Sequence, residues 1–266
     1  MHTSSRILIG PVVVGAALLA AGLSAALGTG ASAGGSGAPV LTTASAPPQP
    51  PAATAPRTVL LDPGHAGRTD ATGTLVPDGR GGEKACNTTG TETNAGYAEH
   101  AFTFDVAQRV AARLRADGVV VVLTRADDSG TGPCVDERGR AGEAAGADAV
   151  VSIHGDGAPA DGHGFHVAFS DPPLNPAQEG PAHALAVAVR DAMRGGGFVD
   201  STYLGHDGLS PRNDLAGLNL ATRPSVLVEC ANMRNAADAA VMSTPEGRES
   251  YAAAITTGIQ AFLARA

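Results

Sequence analysis

The 266-residue chain contains no tryptophan, and aromatic residues make up only 3% of it. It has no block of lysine or arginine, and its formal net charge is −8. Proteins that bind nucleic acid need basic surfaces, and those that bind single strands add aromatic stacking platforms. We therefore expect no nucleic-acid partner. The acidic balance also argues against electrostatic attachment to anionic lipids or anionic wall polymers.

Several common catalytic signatures are missing as well. The chain has no Gly-x-Ser-x-Gly nucleophile elbow, no phosphate-binding loop and no Cys-x-x-Cys pair. No glycine-rich turn lies between a strand and a helix in the way that a dinucleotide-binding fingerprint requires. Any catalytic activity must therefore depend on residues outside these motifs.

The N-terminal segment has the layout of a secretory signal peptide. Arg6 precedes an apolar run over residues 7–26, and an Ala-Ser-Ala sequence ends at Ala33. A transmembrane anchor is the alternative, because the run is about long enough to span a bilayer. Pro11 and the small residues at the end of the run favour cleavage. We expect a signal peptide over residues 1–33 and export of the mature protein.

A second segment, residues 34–56, is rich in Pro and Ala and has almost no charge or large apolar residues. Such a composition cannot bury enough surface to offset the entropy of ordering it, so we expect a linker or disordered tail. The remaining residues, 57–266, are numerous enough for one domain with a sizeable core.

Cysteine is scarce: the chain has only Cys86, Cys134 and Cys230. Cys86 and Cys134 lie in loop-like stretches with Gly, Pro or Thr nearby, whereas Cys230 ends an apolar run. Because an exported protein can keep disulfides, we predict a Cys86–Cys134 bridge and a buried free thiol at Cys230. Three free thiols are the alternative.

Apolar runs typical of strands alternate with helical periodicity after residue 57. Strands are predicted at 58–62, 119–125, 148–154, 164–170 and 224–230. Helices are predicted at 98–118, from about 136, at 180–193 and at 246–266. This alternation predicts an α/β fold with a mostly parallel central sheet.

Three of the predicted strands end on, or lead directly into, a residue that can bind metal or carry a proton: His65, His154 and Glu229. In parallel sheets the functional groups gather at the carboxyl ends of the strands. Glu99, at the start of the first long helix, can face the same edge. Two imidazoles and a carboxylate are common zinc ligands. Zinc held by His65, Glu99 and His154 would leave Glu229 free to accept a proton from an activated water.

Each of these residues taken alone also has an ordinary structural explanation. Strand-end histidines such as His65 and His154 often form hydrogen bonds with backbone groups. A carboxylate at a helix start, such as that of Glu99, is stabilised by the helix dipole. Glu229 is harder to explain, because a carboxylate at the end of an apolar strand is costly to bury without partners. Their joint occurrence favours a site. Glu92 is a rival for the role of Glu99.

Four stretches, VLLDPGHAG, AEHAFTFDVAQRV, VVSIHGDG and RPSVLVECANMRN, resemble in sequence and order the motifs of the zinc-dependent N-acetylmuramoyl-L-alanine amidases of the amidase-3 family. These are bacterial cell-wall hydrolases, and the resemblance covers most of residues 59–263. It implies a single α/β domain, with a twisted sheet flanked by helices and one catalytic zinc. It implies His65, Glu99 and His154 as zinc ligands and Glu229 as the catalytic glutamate.

A further stretch, GLSPRNDLAGLN, is similar to the segment ahead of the family's last strand, where Arg212 and Asp214 would shape the substrate groove. The chain departs from the family pattern at His100, where lysine is frequent, and at Asp156, because SIHGDG replaces the more usual SIHAN. Either residue could support the metal ligands from nearby or serve as an alternative ligand. Glu99 keeps the family's helical register and Glu92 does not.

The other histidines have simpler expected roles. We expect surface or structural positions for His163 and His166, and a solvated position for His183 on a helix. His206 lies on a loop near the expected groove.

The resemblance implies a secreted zinc amidase that cleaves the bond between N-acetylmuramic acid and L-alanine in peptidoglycan fragments. Two alternatives are a catalytically silent wall-binding or regulatory homologue and a zinc carboxypeptidase acting within the stem peptide. Between the third and last predicted strands there is no long extra helix to cover the groove. We therefore expect an open site in a monomer that needs no activating protein.

Overall fold

The computed structural model describes residues 55–68 and 73–265. The predicted signal peptide and nearly all of the predicted linker lie outside these ranges. The described residues form eight strands: β1 (Thr58–Pro63), β2 (Leu75–Pro77), β3 (Glu83–Ala85), β4 (Val120–Leu123), β5 (Ala149–Asp156), β6 (His166–Ser170), β7 (Leu209–Arg212) and β8 (Ser225–Asn232). They also form seven helices: α1 (Glu99–Ala116), α2 (Val135–Ala144), α3 (Pro176–Glu179), α4 (Pro181–Gly195), α5 (Ala216–Asn219), α6 (Ala236–Met242) and α7 (Pro245–Leu263).

The α/β fold with a mostly parallel central sheet is confirmed. Six strands form the sheet in the order β4-β1-β5-β8-β6-β7, and β2 pairs with β3 in a separate hairpin. The four strands β4, β1, β5 and β8 are mutually parallel. In contrast, β6 runs antiparallel to β8, and β7 is parallel to β6. One consequence is that the amino end of β6 lies at the same edge of the sheet as the carboxyl ends of β5 and β8.

One face of the sheet packs on α1, α4 and α7 and holds the main core. Helix α1 buries Phe102, Val106 and Val110 at helical spacing, so its apolar stripe faces the sheet. It ends before Gly118, whose φ of 80° is the left-handed conformation that favours glycine after a helix. None of the helices within the described ranges is long and apolar enough to cross a membrane.

The other face of the sheet carries more polar groups and is covered by α2, α5 and the β2–β3 hairpin. Here Asp62 of β1 forms an ion pair with Arg138 of α2, with Oδ1 and Nη1 2.7 Å apart and both side chains buried. A disulfide joins Cys86, directly after β3, to Cys134, directly before α2. Cys230 is a buried free thiol, and burial raises its pKa. The structure thus has the predicted cysteine pairing.

The sequence-based prediction missed β2, β3, β7 and the short helices α3, α5 and α6. The missed strands have only three or four residues, and β7 contains Pro211 on an edge strand. Neither feature gives the longer apolar run on which strand prediction depends.

Candidate metal centre

His65, Glu99 and His154 meet at the carboxyl edge of the sheet. Each offers one ligand atom, and these atoms all lie within 4.8 Å of one another. Within residues 55–68 and 73–265, this is the one group of three or more His, Cys, Asp or Glu side chains with that geometry. The structure therefore brings together the three residues predicted from the sequence, including Glu99 rather than Glu92.

His65 lies on the turn that follows β1. Its φ is 58°, an uncommon conformation for a residue with a side chain. Its Nδ1 is 2.9 Å from the carbonyl oxygen of Thr88. Because a carbonyl can only accept, Nδ1 carries the proton, and the lone pair of Nε2 faces the cluster when the ring is neutral.

Glu99 is the first residue of α1 and is only 4% exposed. Its Oε2 accepts a hydrogen bond from the Thr91 backbone N–H at 2.9 Å, and its Oε1 accepts one from Gly155 N–H at 3.1 Å. The same oxygens face His65 Nε2 at 3.0 Å and His154 Nδ1 at 2.9 Å. Two backbone donors therefore fix the carboxylate with an oxygen toward each imidazole.

The electrostatics of the cluster favour a bound cation. Burial acts to raise the pKa of Glu99, but hydrogen bonds with His154 and His65 outweigh it and lower that pKa well below the ordinary range. Burial likewise acts to lower the pKa of His65, but the hydrogen bond and the charge of Glu99 outweigh burial, so the pKa is raised. The buried carboxylate thus favours positive charge beside it, which a divalent cation would supply.

The donor set fits zinc. Two imidazoles and one carboxylate leave a coordination position for water, which is the arrangement of a catalytic rather than a structural zinc site. The backbone groups that hold His65 and Glu99 are the kind of outer partners that orient metal ligands.

Glu229 lies beside the cluster, because β8 pairs with β5 in a register that sets Glu229 next to His154. Its Oε2 is buried and has no hydrogen-bond partner. Burial, followed by the charges of Glu99 and Asp156, raises the pKa of Glu229 well above the ordinary range, and Arg212 opposes this. A carboxyl group in these surroundings accepts a proton readily and holds it for transfer.

One cavity reaches the cluster, and a second opening lies close to it in sequence. A cavity of about 210 Å³ lies against His65 and His154 and is bounded by the β2–β3 hairpin, α2, α5 and the sheet. A more open cleft of about 470 Å³ is lined by residues 66–67, 89–92, Ala98 and His100, which include sequence neighbours of His65 and Glu99. A substrate thus has space beside His65 and His154.

The more weakly predicted residues lie around the cluster rather than in it. Arg212 forms a two-bond ion pair with Asp214, at 2.7 and 2.6 Å, at the end of β7. That hydrogen-bonded pair raises the pKa of Arg212 and lowers the pKa of Asp214. His100 bonds the Asp128 carboxylate through Nδ1 at 2.9 Å. Asp156 ends β5 near Glu229.

The remaining histidines separate into exposed and buried positions. His163, His183 and His206 are exposed, as predicted for the first two. His166 is only 1% exposed, so of the surface or structural positions expected for it, the surface position does not apply. Burial lowers its pKa to about 4, with Asp156 opposing and Arg212 adding to the effect, and the ring is neutral near pH 7.

The fold and the cluster together define a class: an α/β protein whose sheet edge carries the donor set of a metal-dependent hydrolase. The comparison with known families identifies the particular family. The chain belongs to the N-acetylmuramoyl-L-alanine amidase family of the amidase-3 type, whose profile matches residues 59–261.

Relatives with known names agree with this assignment. The chain is 49% identical over 227 residues to the N-acetylmuramoyl-L-alanine amidase Rv3717 of Mycobacterium tuberculosis, covering 85% of this chain and 93% of the relative. The crystal structure of the amidase Ami1 from Mycobacterium smegmatis is similar, with a TM-score of 0.78 and 51% identity over 79% of this chain and 98% of that one. The amidase AmiC2 of Nostoc punctiforme has a TM-score of 0.61 and 26% identity, covering 79% and 98% of the two chains.

Proposed function

We propose that the protein is a zinc-dependent amidase that cleaves the bond between N-acetylmuramic acid and the L-alanine of the stem peptide in peptidoglycan. The observation that carries this proposal is the position of Glu229. An acid–base carboxyl group stands in register beside a cluster of two histidines and a glutamate. Family membership supplies the substrate class.

His65, Glu99 and His154 would hold one zinc per chain. When bound, zinc supplies Lewis acidity that polarises the amide carbonyl and lowers the pKa of a water molecule. Glu229 accepts a proton from the attacking water as oxygen bonds to the carbonyl carbon. Glu229 then gives that proton to the alanine nitrogen as the carbon–nitrogen bond breaks, which leaves a free stem peptide and a muramic acid carboxylate.

The site works outside the cytoplasm in this proposal, because peptidoglycan lies there and the first 33 residues have the layout of an export signal. The protein acts as a monomer without an activating partner. One structural feature supports activity without an activating partner. Helix α4, the longest helix between β5 and β8, packs on α7 and so belongs to the core face, whereas the cluster lies at the carboxyl edge of the sheet.

Mass spectrometry of digested muropeptides tests the proposed reaction. The mature protein should release intact stem peptides from the glycan. Shortened peptides that stay attached to muramic acid would instead indicate a carboxypeptidase. Binding of muropeptides without any cleavage by zinc-loaded protein would indicate a silent or regulatory homologue.

A further inference from the structure

His166 occupies the place next to Glu229 on the side away from the metal cluster. The β5–β8 register pairs His154 with Glu229, and the antiparallel β8–β6 register pairs Glu229 with His166. The three residues therefore form a row across neighbouring strands. Paired residues on adjacent strands present their side chains on one face, with Cβ atoms about 5 Å apart. An imidazole thus flanks Glu229 on each side.

The two side chains each leave one buried polar atom without a hydrogen bond. These atoms are His166 Nδ1 and Glu229 Oε2. Leaving such atoms unpaired in a protein interior is costly, and native structures pair nearly all of them. An imidazole and a carboxylate whose Cβ atoms are about 5 Å apart lie within reach of each other, so a change in the Glu229 rotamer can join them.

Of the three other charged groups around Glu229, two are carboxyl groups and the third is already paired with Asp214. Glu99 and Asp156 are carboxyl groups whose charges oppose ionisation of Glu229. The Arg212 guanidinium acts on Glu229 by its charge, but Nε and Nη2 are both bound to Asp214. His166, in contrast, is a neutral imidazole and keeps one N–H.

The ring of His166 packs against a second aromatic ring. Tyr203 packs edge-on against it, with ring centroids 6.0 Å apart and an interplanar angle of 81°. A ring that is buried and packed in this way loses little entropy when it forms a hydrogen bond. Functional side chains are commonly held in position by packed residues of this kind, which need not contact the substrate themselves.

We propose that His166 is a positioning residue for Glu229: a ring N–H of His166 donates a hydrogen bond to the Glu229 carboxyl group and aims its other oxygen at the metal cluster. This inference rests on the proposed function, because it assigns Glu229 the proton transfer. Without the donor, the carboxyl group is free to turn away from the neighbouring carboxylates and from the reacting water.

The kinetic test compares His166→Leu, which removes the donor at similar volume, with His166→Asn, which keeps an N–H near the position of Nδ1. His163→Leu serves as the control, because His163 is exposed and lies three residues away. With purified muropeptide, His166→Leu should lower kcat about 10- to 100-fold, the usual size for a lost bond to a charged group, while KM and zinc content stay close to wild type. His166→Asn should restore most of kcat.

A double-mutant cycle separates positioning from general stability. In a Glu229→Gln background, His166→Leu should cause little further loss of kcat, because the group that it positions is already gone. If the two losses multiply, or if His166→Leu and His163→Leu behave alike, His166 does not act through Glu229 and the inference is wrong.

A third measurement does not depend on activity. The ring ¹⁵N–¹H signals of His166 in the zinc-loaded protein should move in Glu229→Gln and stay in place in Glu143→Gln, an exposed site. Unchanged His166 signals in Glu229→Gln would overturn the inference even if the wild-type protein proved inactive. A zinc-loaded wild type that cleaves nothing, with the signals moving as expected, would instead refute the proposed function and leave the pairing standing.

Discussion

Gly64 lies so close to the imidazole of His154 that a Cβ at residue 64 would overlap the ring. The glycine of the DPGH turn therefore has a packing role: it lets β1 and β5 bring His65 and His154 into one cluster. The ring centroids of these histidines are 4.9 Å apart. A side chain between them would separate the candidate ligands.

Gly64→Ala should therefore weaken zinc binding while the rest of the fold stays intact. We expect the zinc dissociation constant to rise about 10- to 100-fold, the size seen when the support of a metal ligand is disturbed. Gly195→Ala is the matched control, because nothing lies within 4 Å of a Cβ at that exposed position. Competition with a chelator measures both variants. Equal zinc affinity in Gly64→Ala and wild type would show that the close approach has no role in metal binding.

Glu229→Gln should separate catalysis from metal binding. The amide keeps the shape of the side chain but cannot accept a proton, so kcat should fall about 10²- to 10⁴-fold. Zinc content should not change, because Glu229 lies outside the group of three ligands. A variant that keeps zinc and most of its hydrolysis would remove Glu229 from the mechanism.

The buried ion pair between Asp62 and Arg138 should make the stability of the fold depend on pH in the acidic range. Burial acts to raise the pKa of Asp62, but Arg138 and the hydroxyls of Thr124 and Ser152 outweigh it, so the pKa is lowered. A folded-state pKa below the unfolded one gives stability that is present above about pH 4, the ordinary aspartate pKa. That stability is lost as the pH falls through the lowered folded value.

Asp62→Asn should consequently cost about 3–5 kcal/mol near pH 7, because Arg138 would keep a buried charge without its partner. The variant should also lose the part of the acid dependence that Asp62 supplies. Urea unfolding at several pH values measures both effects. Glu143→Gln, which disrupts an exposed ion pair with Arg223, should change stability much less. A loss for Asp62→Asn no larger than that of Glu143→Gln would contradict the account.

The Cys86–Cys134 disulfide should be the main covalent constraint on the domain. It closes a loop across a sequence separation of 48 residues. On the chain-entropy model, a loop of this length stabilises the fold by about 4 kcal/mol. Thiol titration of unfolded, unreduced protein should find one thiol per chain, that of Cys230. Finding three thiols would show that the bridge does not form in solution.

Much of the fold and of the candidate site was predictable from sequence because the relevant signals are local. Strands β1, β5 and β8 are continuous apolar runs, and His65, His154 and Glu229 lie at or near the ends of those runs. Topology then brings these residues together, since parallel strands share one carboxyl edge. Glu99 was identified from its place at the start of the first long helix and, against Glu92, from the family resemblance of that helix.

His166 could not be assigned in the same way, because its place depends on the direction of β6. In a parallel strand, a residue at the amino end would lie at the opposite edge of the sheet. Since β6 runs antiparallel to β8, its first residue lies beside Glu229 instead. Strand direction is fixed by how the long segment between β5 and β8 crosses the sheet, and no local pattern in the sequence reports it.

The most direct test of the account is the zinc content of the purified mature domain, measured together with muropeptide cleavage, in wild type and in His65→Ala. We expect one zinc per chain and free stem peptides for wild type, and the loss of both in His65→Ala. Folded protein that releases stem peptides without zinc, or a His65→Ala variant that keeps both zinc and activity, would contradict it.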